Sequence, residues 1–331
     1  MEKVLLSLLL FLIGYVAWSQ NRFEYTYPQM GTQIRWVLYA ENEEKADSVS
    51  AVVSERIDEL NRNLSDYLED SELNQLGRKG FEMVRVGDDL YRILKAATEI
   101  SRMTEGAFDV TVGPLTKLWR KVRNIKILPN STEMAKAKQR VGYGLVHFPG
   151  PGLVQLKAKG MQLDLGGIGK GFAADEIIEI FESHGIHSAL VDLGGDIRVS
   201  DPPPERAHWV IAFSYIDQNG TEQLQKVNLK KGAVATSGDR YQFIEIDGVR
   251  YSHIIDPRTG MALNDRVQVT VIAKDATTAD AFASACGVLG FDEVKERFNE
   301  WPSLEVFITN QSQKGYRQWK SPGFEACLIK D

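Results

Sequence analysis

Apolar residues recur with helical period in three stretches of the chain. Ala46, Val49, Val53, Ile57 and Leu60 form one stripe. Leu90, Ile93, Leu94, Ala97 and Ile100 form a second, opened by Asp88 or Asp89 as its cap. The third begins near Gly171, carries Ala174, Ile177, Ile178 and Phe181, and ends at Gly185. Strand-like runs fall at Ile34 to Tyr39, Ala189 to Val191, Tyr241 to Ile246, Val267 to Ala273 and Leu304 to Thr309. Helices and strands mix without a regular βαβ period. That favours an α+β fold, helices packed on mainly antiparallel sheets, over a doubly wound one. Pro202-Pro203-Pro204 is the clearest break and reads as a surface loop before the strand-like "HWVIAF" at His208. With no long low-complexity linker after Gln20, residues 20–331 are expected to form one large domain.

The first apolar run differs in kind. Glu2 and Lys3 precede Val4 to Val16, and Ala17-Trp18-Ser19 places small residues where a signal peptidase would cut before Gln20. The run is shorter than the roughly 20 residues of a spanning helix, so residues 1–19 read as a signal peptide, with an uncleaved anchor as the alternative because the n-region is weakly basic. Composition changes the picture little: 331 residues, 43% hydrophobic and 25% charged, are ordinary for a globular chain. The formal net charge of −6 argues against non-specific nucleic-acid binding. Cys286 sits in an apolar helical context and reads as a buried thiol; a bond to Cys327 stays open. Two cysteines do not make a zinc site.

The chemistry concentrates in glycine-rich segments. "DLGGIGKGFAAD", Asp164 to Asp175, resembles two nucleotide loops and matches neither. The dinucleotide pattern from Gly167 and Gly169 would close on Phe172, and the P-loop pattern fails at Asp164 and Gly171. What survives is physical. Gly166, Gly167 and Gly169 let the backbone touch a ligand, a helix start follows, and Lys170 adds a positive charge. The tetrad Asp-Leu-Gly-Gly recurs at 192–195, as if two turns approached one ligand.

Two further stretches carry candidate groups. In "KDATTADAFASACGVLG", Thr277 or Thr278 can cap a helix on which Asp280 and Ser284 lie four apart on one face. A carboxylate stacked with a hydroxyl is half of a hard-cation site; by itself the pair is more often a solvated face. In "YSHIIDPRTG", His253 has a pKa suited to proton transfer, although a lone histidine is more often structural, and Asp256 before Pro257 nucleates a turn.

Taken in order, "MGT" at Met30, "SDYLEDSELNQL" at Ser65, "GAFDVTVGPLTKLW" at Gly106, the glycine-rich run, "VDLGGDIRV", "ATSGDRY" at Ala235, "HIIDPRTG" and "TADAFAS" resemble the FAD:protein FMN transferase family, also called ApbE. The likeness spans nearly all of the chain after residue 19. It implies a mixed α/β fold and an exported enzyme, periplasmic or on the periplasmic face of the inner membrane. FAD would be the substrate and Mg²⁺ the cofactor. Family members move FMN from FAD to a Thr or Ser hydroxyl of a target protein, typically a membrane respiratory-complex subunit, and release AMP. Carried over by position, the metal ligands would be the Gly167 carbonyl, the Asp280 carboxylate and the Ser284 hydroxyl. Alanine and threonine are commoner than Gly167 and Ser284 in the family, and both changes keep the oxygen. Met30, Tyr67, Ala107, Phe108, Asp109, Asp164, Lys170 and Ile254 would bind FAD. Lys170 and Asp280 would serve catalysis, with His253 as the base. The alternatives are an FAD pyrophosphatase giving FMN and AMP, and an exported flavin-binding protein without chemistry.

Overall fold

The computed structural model describes residues 20–238, 242–312 and 315–329. The expected signal peptide, residues 1–19, lies outside the described residues, as do Asp239, Arg240 and Tyr241 of "ATSGDRY". Strands β1 (Asn21–Gln29) and β2 (Thr32–Ala40) open the fold as a hairpin. Helices α1 (Glu43–Leu64) and α2 (Glu72–Lys79), strand β3 (Met83–Arg85) and helix α3 (Asp88–Met103) follow. Next come α4 (Gly113–Ile125), α5 (Ser131–Lys138), β4 (Val146–Gly150), β5 (Leu153–Leu156) and α6 (Gly169–Ser183). Five strands then run in succession: β6 (Ala189–Leu193), β7 (Ile197–Val199), β8 (Trp209–Ile216), β9 (Glu222–Leu229) and β10 (Gly232–Gly238). The chain closes with β11 (Phe243–Ile246), β12 (Val249–Ser252), β13 (Arg266–Ala273), α7 (Ala276–Arg297), β14 (Glu305–Ser312), β15 (Gly315–Lys320) and α8 (Pro322–Cys327).

Eight strands form one sheet in the order β1-β2-β6-β7-β10-β13-β14-β15, with every neighbouring pair antiparallel. The α+β expectation is met. Strand alternation divides the side chains between two cores. Ile34, Trp36 and Leu38 of β2, with Val269 and Val271 of β13, face the helical layer of α1, α3, α6 and α7. Val37, Ile272 and Phe307 point the other way, onto the β8–β9 hairpin and Phe324 of α8. A third cluster joins α4 and α5 to the β11–β12 hairpin through Leu115, Trp119, Ile244 and Ile255. There the Trp119 indole donates to the Gly260 carbonyl at 2.9 Å and fixes the loop that follows β12.

The expected stripes fall on α1, α3 and α6, but two caps differ. Gly87, not Asp88 or Asp89, precedes α3, and no side chain caps it. Asp88 and Asp89 occupy the first turn, where their charge complements the helix dipole. Asp275, rather than Thr277 or Thr278, caps α7 by accepting from Thr278 N at 2.8 Å. Cys286 is fully buried in the main core, and both cysteines are free. No helix among the described residues is long and apolar enough to cross a membrane.

Candidate active site

Helices α6 and α7 meet in an antiparallel ladder whose rungs are small or acidic residues. A Cβ on Gly167 would stand 2.8 Å from Ser284 Oγ and 3.4 Å from the Phe108 ring. Four residues on, a Cβ on Gly171 would stand 2.1 Å from the Ala276 carbonyl oxygen and 2.9 Å from Asp280 Cβ. Only glycine permits that approach, and it lets Gly171 N–H reach Asp280 Oδ2 at 3.1 Å. At the next rung, Asp175 accepts from Ala276 N at 2.9 Å, Thr277 N at 2.8 Å and Thr277 Oγ1 at 2.6 Å. Arg198 Nε completes its shell at 2.9 Å. Asp175 therefore satisfies orphan N–H groups at the start of the helix that carries Asp280 and Ser284.

The ladder brings Gly167, Asp280 and Ser284 to one place from segments more than a hundred residues apart. Asp280 is buried, and burial pushes its carboxyl above the ordinary range, opposed by the Lys170 charge and the Gly171 N–H. Among the described residues, no three His, Cys, Asp or Glu side chains gather as a metal cluster. An ion here would rest on one carboxylate, one hydroxyl and the Gly167 carbonyl. Those are oxygen donors of the kind Mg²⁺ takes, with positions left for phosphate and water. The donors fit: the carboxylate is buried with one hydrogen bond from the protein, and the Gly167 backbone passes close beside the Ser284 hydroxyl.

Lys170 stands in the first turn of α6, and its ammonium is ion-paired with buried Asp196. Asp196 directly follows the second Asp-Leu-Gly-Gly turn, where Gly194 and Gly195 adopt φ of 71° and 103°. The two turns thus converge, through a lysine from one and an acid from the other.

One wall is organised by Arg120 of α4. Its guanidinium lies 4.3 Å from the Tyr67 ring centroid, 2.7 Å from Asp66 Oδ2 and 3.8 Å from Asp164 Oδ2. Tyr67 is 76% exposed, leaving ring surface for a flat heterocycle. Asp164 Oδ1 accepts from Gly166 N at 2.9 Å and shapes the glycine turn. Ala107 and Phe108 are buried. Asp109 is buried with its carboxylate taken up by Thr111 N, Thr111 Oγ1 and Tyr143 N, at 2.6–2.8 Å. Its carboxylate is spent on the turn.

His253 follows β12. Its Nδ1 lies 3.2 Å from the Gln242 carbonyl oxygen, which can only accept, so the proton of the neutral ring is assigned to Nδ1. Nε2 is left with its lone pair. Burial, then the positive charges of Arg123 and Lys170, hold its pKa below the ordinary 6.5. Ile254 packs against the main core beside it. Asp256 nucleates the turn as expected, accepting from Arg258 N at 2.8 Å. Met30 occupies the β1–β2 turn at φ 53°, an uncommon conformation for a residue with a side chain.

The sequence profile described as the ApbE family matches residues 30–308. The chain belongs to the ApbE family. A relative from Vibrio cholerae serotype O1, named FAD:protein FMN transferase, is 32% identical over 312 residues, covering 92% of each chain. One of the same name from Treponema pallidum is 35% identical over 261 residues, covering 74% of this chain and 72% of its own. Among solved structures, flavin transferase ApbE from Vibrio cholerae superposes with a TM-score of 0.84 at 28% identity, covering 93% of this chain and all of that one. The ApbE protein of Thermotoga maritima gives 0.82 at 32% identity, covering 94% and 100%.

Within the candidate site of this ApbE-family chain, three residues carried no assignment from sequence: Asp175, Asp196 and Arg120. Asp196 had a signal, because it extends the repeated tetrad. Asp175 closes the quoted glycine-rich run but looks like any helix-surface acid until α7 is packed on it. Arg120 is one cation among many on α4, with no local mark at all.

Proposed function

We propose that this chain is a flavin transferase, moving the FMN half of FAD onto a Thr or Ser hydroxyl of a target protein and releasing AMP. The convergence of Gly167, Asp280 and Ser284 beside Lys170 carries the proposal, together with relatives named for that activity. Magnesium held by those three oxygens would supply charge neutralisation on the pyrophosphate. The remaining work belongs to the protein. Tyr67 offers a stacking face, and the glycine turn brings backbone close to the phosphates. Asp196 holds the Lys170 ammonium at the start of α6, where charge builds in phosphoryl transfer. The acceptor oxygen attacks the FMN-side phosphorus, the bond to the AMP phosphate breaks, and the hydroxyl proton passes to His253 Nε2.

The proposal extends to place and partner. Residues 1–19 would direct export to the periplasm or the periplasmic face of the inner membrane, and the acceptor would be a membrane respiratory-complex subunit. Incubation with FAD, Mg²⁺ and a candidate acceptor should add the mass of FMN to that acceptor and release AMP in step. AMP released at the same rate without acceptor, and no mass shift, would instead identify a pyrophosphatase. Asp280→Asn retains an oxygen for Gly171 N–H but loses the anion. It should abolish Mg²⁺ binding by calorimetry while keeping the melting temperature within a few degrees.

A further inference from the structure

Residues 113–160 hold ten lysines and arginines against a single acid, Glu133, in a chain whose net charge is −6. The structure turns this imbalance into a feature. Two shallow clefts share Arg140: one of about 610 Å³ lined by Phe81, Lys157 and Lys159, the other of about 380 Å³ lined by Lys117, Lys136 and Gln162. Lys117, Lys136, Arg140, Lys157 and Lys159 are all exposed, and none has an ion-pair partner among the described residues. Glu133, the one acid on the rim, is engaged by Lys121 at 3.3 Å. Phe81, 58% exposed, forms an apolar lip.

The second cleft neighbours the active-site wall through two of its lining residues. Gln162 stands two residues before Asp164. Lys117 lies on the face of α4 adjoining Arg120, which touches Tyr67 and Asp164. We propose that this basic groove receives an acidic stretch of the acceptor polypeptide and so delivers its hydroxyl to the flavin site. The inference rests on the transferase reading and deepens it. Unpaired cations lining a groove raise the local concentration of an anionic chain and fix its register, and they act within a Debye length of about 8–10 Å. Phe81 gives an apolar or aromatic residue of the same stretch a place to pack.

The test uses the full chain and two fluorescent peptides of equal length, each with one threonine; one bears four Asp or Glu residues and the other Asn and Gln instead. Anisotropy without FAD should show tighter binding of the acidic peptide, weakening steeply with salt. The triple variant Lys136→Glu/Arg140→Glu/Lys157→Glu should lose that binding by about tenfold or more while binding FAD as the parent does. Equal binding of both peptides, or an unchanged triple variant, overturns the groove. So does co-sedimentation with phosphatidylglycerol vesicles without preference for the acidic peptide, since that marks a lipid-facing patch. Flavin attachment is scored separately by mass. Acidic-peptide binding with no FMN transfer to any acceptor would remove the transferase reading and leave the groove standing.

Discussion

At the scale of single residues, His253 shows how position sets chemistry. Its Nδ1 is committed to Gln242, so its free lone pair is on Nε2. Burial and the Arg123 charge make the ring harder to protonate than an ordinary histidine. As proton acceptor it must be neutral, so kcat should fall on the acid side with a midpoint below 6.5. Removing the Arg123 charge by Arg123→Gln favours the protonated ring and should move that midpoint to higher pH. His253→Ala should lower kcat by about 10²–10⁴-fold with little change in the KM for FAD. A pH profile that Arg123→Gln leaves in place would detach the acid limb from His253. The residue types were legible in sequence; the tautomer was not, because Gln242 comes from a different stretch of backbone.

At the scale of elements, the α6–α7 ladder joins fold to function. Gly167, in the turn before α6, and Gly171 and Asp175 on it are spaced by four, while Ser284, Asp280 and Ala276 step back along α7. Helical period made the Asp280–Ser284 pair visible in sequence. It gave no sign that the two sets face one another, since that depends on a crossing of helices more than a hundred residues apart. The same gap explains the α7 cap: Thr277 is occupied by Asp175 across the interface rather than by its own helix. Asp175→Ala removes three hydrogen bonds at the start of α7 and takes away the carboxylate that pairs with Arg198. A lost cap costs about 1–2 kcal/mol, so the melting temperature should drop by several degrees. A second effect should be specific: α7 shifts relative to Gly167, and Mg²⁺ affinity measured by calorimetry falls at temperatures where the variant is fully folded. Unaltered Mg²⁺ affinity would confine Asp175 to stability.

At the scale of the whole molecule, one antiparallel sheet separates two apolar cores, and charge pins the helical layer together. Glu176 of α6, 7% exposed, accepts from Arg56 of α1 at 2.7 Å and pairs with Arg92 of α3 at 2.8 Å. Asp89 holds the same Arg56. Removing one member of a buried pair leaves an uncompensated charge. Glu176→Ala should therefore cost about 3 kcal/mol, the lower end for such pairs because Arg92 remains partly in water. Chemical denaturation should show a lower midpoint with an unchanged slope. A midpoint within experimental scatter of the parent would mean that the network is neutral.

Sequence by itself determined the quantities that are local. Periodicity fixed which residues of α1, α3, α6 and the main strands turn inward, because a helix or strand repeats its own geometry. The spacing of Asp280 and Ser284 put them on one face, and the ordered motifs identified the family. Tertiary structure alone decided which faces meet, which glycine is demanded by a neighbour's carbonyl, and that Lys170 answers to Asp196. It also gathered the unpaired cations of α4, α5 and the β5–α6 connection into a groove. Those are relations between distant segments, set by how apolar surfaces are buried against one another, and no window of sequence contains both partners.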